Sequence, residues 1–482
     1  MTDHSEALDS PAAQVTESAG GRYHQQLNRS IGILGNVFIT LSGVTPASSV
    51  FIIAPVALVA AGSGSFLAFV FAAIVGVFMA FCWAELSAAY PIAGGDYALV
   101  WHSFKGRSSW LAGPLSFVTF ALYVDFIAFI PAVIALGMGT YLAVIVSVNA
   151  KVLGAIVMLV AAGIAILNIR LNAVITGIFL AIELAALAAV TVLGFAHAHH
   201  ASVLLHPVTG GTHGSLQFVS FTAVLALTAV AVFSYNGYAN AVNFSEETTG
   251  PSRTIARAIL WSLVITVAAE LIPITAVILG SPSIAKLSES AVPMQYFIDA
   301  TSNSTVNTII SIGVVIAILN AVIAIVLGYA RIFFSSGRDR AWPGPVNGWM
   351  TAVNRFKSPW FPTALVGVLG AIMCLTVSLD TLVNLTGASL VADYALIALG
   401  ALFARPTGAT ANSPYKMPLW PLPPILALAS LGYVFTEQTG LLLKVTLITV
   451  AIGLLYWAVV ILPQKGRAWN LREAAIDEEH PA

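Results

Sequence analysis

Residues 43–51 read GVTPASSVF, inside an apolar segment running from Ile31 to Ala60 that otherwise has the length and hydrophobicity of a membrane-spanning helix. A glycine, a proline and the hydroxyl residues Thr45, Ser48 and Ser49 crowd its middle. Hydrocarbon offers no partner to an unpaired backbone group, so irregular backbone at that depth is tolerated only against protein or a cavity. The question posed by the stretch is what it lines.

The surrounding chain is built for a bilayer. Of 482 residues, 58% are hydrophobic and 9% charged, and the mean hydropathy is +0.91, outside the range of soluble domains. Apolar spans near the roughly 20 residues needed for a crossing recur at 31–60, 66–89, 110–140, 152–170, 172–196, 217–245, 255–280, 305–334, 361–379, 382–404, 419–436 and 441–463. The expectation is an all-α integral membrane protein with twelve transmembrane helices. An even number puts both termini on one side. With the N-terminus cytoplasmic, 17 of the 20 lysines and arginines fall inside, and only Lys151, Lys286 and Lys444 fall outside, the bias that orients proteins in an inner membrane. The polar residues 1–30 lack the apolar core of a signal peptide and read as a disordered cytoplasmic tail, and 464–482 read as a cytoplasmic C-terminal tail. Cys82 and Cys374 both fall within apolar spans and imply no disulfide framework.

A second interruption, FSYNGYAN from Phe233 to Asn240, lies in the sixth span at a place corresponding to the first. Two matched breaks in two five-helix halves point to an inverted-repeat secondary transporter whose site lies between the halves. The halves are 31–196 and 217–404, with 405–463 outside the repeat. Unwinding at 43–48 would free N–H groups at a half-helix start, which favour an anion. Unwinding at 234–240 would free carbonyls, which favour a cation or ammonium.

Three blocks then resemble the amino acid–polyamine–organocation (APC) transporter superfamily: AELSAAYPIAGGDYAL (Ala84 to Leu99), FSYNGYANAVNFSEETTGPSRTIARAI (Phe233 to Ile259) and ARIFFSSGRDRAWPG (Ala330 to Gly344). The resemblance implies a LeuT-like fold, a five-plus-five inverted repeat with discontinuous helices 1 and 6. It implies a permease moving amino acids or related amines by alternating access. It places a substrate carboxylate on Ala47, Ser48 and Ser49, with Ala47 and Ser49 standing where the family carries glycines, and Gly43 and Thr45 of the same break are further substrate-binding candidates. Phe233 would be the aromatic gate, and Phe233, Ser234, Asn236 and Gly237 the amine side. A polyamine or organic amine importer or exchanger is the alternative, and a transporter-like receptor the alternative from another class.

Acids inside a membrane are functional candidates by default. Asp125, Glu183, Glu270 and Asp393 qualify. Counting thirteen residues from Arg170 lands on Glu183, where the resembling proteins often carry a lysine. A buried carboxyl holds a proton more firmly, so proton coupling through Glu183 is expected, with sodium the other option. Asn320 is expected near the first break, and Asp125, beside Tyr123, is a candidate for a ligand amine or for interhelical bonding. Glu246 and Glu247 with Arg253 and Arg257 suggest a cytoplasmic gate. HAHH at 197–200, with His206 and His213, reads as an exposed histidine-rich loop rather than a metal site. No HExxH, GxSxG or phosphate-loop motif suggests an enzyme, and no cofactor or nucleic acid is expected.

Overall fold

A computed structural model describes residues 29–105, 109–142, 146, 148–167, 169–199, 201–211, 215–436, 440–464, 467–469 and 471. The tails expected at 1–30 and 464–482 lie almost wholly outside these residues, as do His200 and His213. The chain is helical nearly throughout. The first group comprises α1 (Ile33–Val44), α2 (Pro46–Ser48), α3 (Ala54–Ala61), α4 (Ser65–Ala89), α5 (Asp96–Phe104), α6 (Ser109–Leu142), α7 (Ala150–Ala165) and α8 (Ile169–Ala196). A short hairpin of β1 (Val208–Gly210) and β2 (Leu216–Phe218) follows, antiparallel, with Thr209 opposite Gln217. The second group comprises α9 (Phe221–Ser234), α10 (Pro251–Gly280), α11 (Ile284–Glu289), α12 (Pro293–Thr301), α13 (Ser304–Arg338), α14 (Gly344–Met350), α15 (Trp360–Thr376) and α16 (Leu379–Ala404). Last come α17 (Leu422–Thr436) and α18 (Gly440–Tyr456).

Among the described residues, seven helical stretches are long and apolar enough to cross a bilayer, one of them the 57-residue run Ile33–Ala89. Four further apolar helices are shorter: Ala150–Ala165, Trp360–Thr376, Ser389–Ala404 and Leu422–Thr436. The molecule is a polytopic membrane protein. Its burial pattern says the same: Ile74, Ile156, Ile178, Val264, Ile309 and Leu447 face outward, while Asn36, Glu183, Glu270 and Asp393 are buried. Water would reject that outer face; lipid accepts it.

Small residues let the helices approach. A Cβ on Gly194 of α8 would lie 2.3 Å from the Ala276 carbonyl oxygen of α10, and one on Gly367 of α15 would lie 2.5 Å from Ala162 of α7. Such close contact substitutes for the hydrophobic drive that lipid removes. Helix starts are capped where the sequence supplies polar residues. Asn149 accepts from Lys151 N at 3.0 Å and Asn303 from Val306 N at 3.0 Å.

One end of the molecule is stitched across the two halves. The Ser30 and Ile31 N–H groups both donate to the Glu247 carbonyl at 2.9 Å, and Thr249 N donates to Ile31 O at 2.9 Å. Asn36 Nδ2 donates to Ala241 O at 3.2 Å and to Thr248 Oγ1 at 2.9 Å. The other described end of the chain packs there too, with Trp469 tilted against Tyr97 at a 5.0 Å ring separation.

Candidate functional site

Both interruptions are real breaks in helical geometry. Helix α1 stops at Val44 because Thr45 takes φ 54°, ψ 69°, a left-handed conformation uncommon outside glycine. Pro46 restarts the chain as α2, and a π-helical turn at Ser49–Ile53 leads into α3. Helix α9 stops at Ser234; Gly237 takes φ 112°, and a 3-10 stretch runs from Tyr238 to Glu247. The breaks touch each other. A Cβ on Gly237 would sit 3.2 Å from Val44 Cα, so position 237 needs glycine for its torsion and for its neighbour. Ser49 Oγ donates to Ser234 O at 2.8 Å, tying one break to the other.

Between them opens a cleft enclosing about 370 Å³ of empty space, mouth included. Gly43, Thr45, Phe233, Ser234, Asn236 and Gly237 line it. Its other walls are mainly apolar: Val44, Ile53, Ile130, Ile134 and Ile325, with Asn240 and Tyr329. Ala47, Ser48 and Ser49 are not in that lining; their polar groups are bonded within the protein instead. Thr45 Oγ1 donates to Ser48 Oγ at 2.7 Å, and the Ala47 N–H donates to Glu183 Oε1 at 2.8 Å.

That last bond joins α8 to the first break. Glu183 is fully buried, and its Oε2 has no hydrogen-bond partner. Asn320 of α13 stands beside it, also fully buried. A second carboxyl, Glu270 of α10, accepts from Ser234 Oγ at 2.6 Å and is likewise fully buried. The sequence flagged Glu270 only as a buried acid without a motif; its value comes from α10 lying against the first break. Asp125 is brought elsewhere. It accepts from Ser389 of α16 at 3.3 Å and from Thr449 of α18 at 2.8 Å, and so holds α6 to those helices away from the cleft.

Glu246 and Glu247 do meet arginines, though not those nearest in sequence. Glu247 is clamped by Arg331 of α13, Nε to Oε2 at 2.5 Å and Nη2 to Oε1 at 2.9 Å, a bidentate fork. Glu246 meets Arg338 at 2.6 Å and also accepts the Ala93 N–H at 3.1 Å. Arg253 is exposed, and among the described residues no salt bridge reaches it. The local cluster in sequence thus misassigned the partner, because α10 turns its first arginine outward while α13 returns alongside the 3-10 stretch. Asp339, just past α13, accepts from Tyr97 OH at 2.9 Å; burial pushes its pKa up to about 6 against the pull of Arg338. A matching clamp closes another corner: Glu85 at the end of α4 takes two bonds from Arg405, at 2.9 and 2.7 Å, and one from Thr410 at 2.8 Å.

Comparison with known proteins gives one family and several relatives. A family model described as amino acid permease matches residues 31–462. An uncharacterized transporter of Mycobacterium tuberculosis is 29% identical over 387 residues, covering 78% of this chain and 80% of its own. A branched-chain amino acid permease of Lactococcus lactis is 24% identical, covering 78% and 82%, and a methylthioribose transporter of Bacillus subtilis is 22% identical, covering 87% and 91%.

Proposed function

The chain belongs to the amino acid permease family, and from that premise we propose that it is a secondary active transporter for α-amino acids with apolar side chains, coupled to protons through Glu183. Several features support twelve crossings in a five-plus-five inverted repeat. The 57-residue run Ile33–Ala89 is long enough for two spans and is divided at Gly62, where φ is 51°. Four shorter apolar helices bring the total to that of the sequence segments. The two breaks occupy corresponding places and meet. The lysine and arginine bias supports cytoplasmic termini in an inner membrane.

The observation that carries the reading is the Ala47 N–H to Glu183 Oε1 bond. A substrate carboxylate seeking the N–H groups of the first break competes with a carboxyl that the protein itself supplies. Ionised, Glu183 is the stronger acceptor, since a charged partner roughly doubles a hydrogen bond. A proton on Glu183 weakens its hold and frees Ala47 N–H for the substrate. Substrate and proton therefore load together. The substrate amine would face the carbonyls of Phe233, Ser234 and Asn236, which keep a spare lone pair each. The isoleucines at 53, 130, 134 and 325 would enclose its side chain. Relatives named as branched-chain amino acid permeases fit an apolar wall.

The test is uptake of labelled leucine into proteoliposomes under an imposed proton gradient. Wild-type protein should accumulate it with a pH dependence, and Glu183→Gln should keep counterflow exchange but lose that dependence. Unchanged uptake and pH profile in Glu183→Gln would sink the proton-carrier assignment. The occupied Ala47 N–H also favours a second reading, an amine without a carboxylate. Isoamylamine competing as well as leucine would establish it.

A further inference from the structure

Away from Glu183, a pair of acids lies between the second break and the stitched end of the molecule. Asp96 begins α5 and is 3% exposed; Asp393 lies within α16 and is 1% exposed. Asp96 Oδ1 accepts the Trp83 indole N–H at 2.6 Å, and its Oδ2 accepts the Tyr123 hydroxyl at 2.8 Å. The Asp393 carboxyl lies against the same group, and its Oδ1 has no hydrogen-bond partner among the described residues.

Hydrogen-bond accounting decides the protonation. An ionised carboxylate only accepts, so two of them cannot bond to one another, and like charges in contact inside a protein repel strongly. No cation relieves them: among the described residues no salt bridge involves either acid. The other titratable groups facing the pair are phenols, Tyr123 of α6, Tyr238 of the 3-10 stretch, Tyr329 of α13 and Tyr394 of α16, with the buried Cys82 thiol beside Tyr238. Asp96 already receives two donors and sits in the first turn of a helix, where the dipole favours negative charge. Asp96 is therefore the ionised partner and Asp393 the protonated one.

We propose that Asp96 and Asp393 together bind one exchangeable proton, a second proton site distinct from Glu183, whose loss forces α16 away from α5 and loosens the second break. The mechanical link is the next residue: Tyr394 OH donates to Asn236 Oδ1 at 2.7 Å, and its ring stands edge-on to Trp83 with centroids 4.6 Å apart. Moving Asp393 moves Tyr394, and Tyr394 holds Asn236, the residue just before Gly237.

The experiment is infrared spectroscopy of purified full-length protein, comparing light and heavy water at neutral pH. The protonated-carboxyl band should lose one component in Asp393→Asn, keep it in Glu183→Gln, and keep it at a shifted frequency in Asp96→Asn, which exchanges the charged partner for a neutral amide while Asp393 stays buried. The wild-type and Glu183→Gln spectra need no uptake assay, so the result stands whether or not leucine is the substrate. Should Asp393→Asn not fold, Asp96→Asn carries the test. A band unchanged in these variants overturns the proposal, as does a leucine uptake pH profile in Asp393→Asn identical to wild type.

Discussion

The buried acids divide by place. At the stitched end Glu246 and Glu247 meet Arg338 and Arg331, and at another corner Glu85 meets Arg405. Around the breaks, Glu183, Glu270, Asp96 and Asp393 meet, among the described residues, hydroxyl, amide and indole groups or one another, and no salt bridge reaches them. An acid facing arginine is held in an ion pair whose strength depends on geometry. An acid facing neutral donors in a dry interior is free to exchange a proton without stranding a cation. The first arrangement suits parting and rejoining of elements; the second suits coupling to a gradient.

The difference is broken most severely at the ion pair. Arg331→Met leaves Glu247 charged, buried and alone, and should cost about 3–5 kcal/mol in thermal unfolding of detergent-purified protein. Glu183→Gln, which strands no charge, should cost only about 1 kcal/mol on the same scale. Equal losses would erase the distinction. A buried base outside the spans sharpens it further. His102 of α5 stacks on Tyr90 at 4.2 Å, and burial pushes its pKa down to about 3. Its unfolded value is near 6.5, so the unfolded chain takes up the proton first. His102 therefore favours folding fully above about pH 6.5, and that contribution fades as pH falls towards 3, by about 1.4 kcal/mol per unit. Asp339, raised to about 6, acts with the opposite sign between the unfolded 3.8 and that value. The two partly cancel in wild type, and His102→Phe should flatten the loss of melting temperature between pH 6.5 and 5; an unchanged slope would refute the assignment. The smallest effect expected is that of Tyr394→Phe, which deletes one hydrogen bond to Asn236 and should weaken substrate binding by about 1 kcal/mol, read as a rise in the half-saturating concentration for uptake.

How much of this the sequence carried follows from the range of each interaction. Helix breaks are local, so GVTPASSVF and FSYNGYAN marked them: α1 ends at Val44 and α9 at Ser234, inside both stretches. Glu183 was reachable through the count from Arg170 and does contact Ala47. The partners of Glu246 and Glu247 lie 92 and 84 residues away, and nothing local distinguishes them from the nearer Arg253. Asp96 lies unremarked inside the block Ala84 to Leu99, and only the return of α16 gives it a second carboxyl. The capture of Ala47 N–H from within was equally invisible, because it depends on the direction in which α8 presents one side chain.

The stitch at 30–36 and 241–249 has a kinematic consequence. Hydrogen bonds bind the beginning of α1 to the end of the 3-10 stretch, so these segments travel as one piece. The positive φ values within the two interrupted spans fall at Thr45 and Gly237, and Gly237 packs against Val44, the residue before Thr45. Two pivots side by side above a common crossbar form a linkage with a single swing. On that geometry neither break-flanking segment tilts without the other, and the Glu247–Arg331 fork fastens the crossbar to α13.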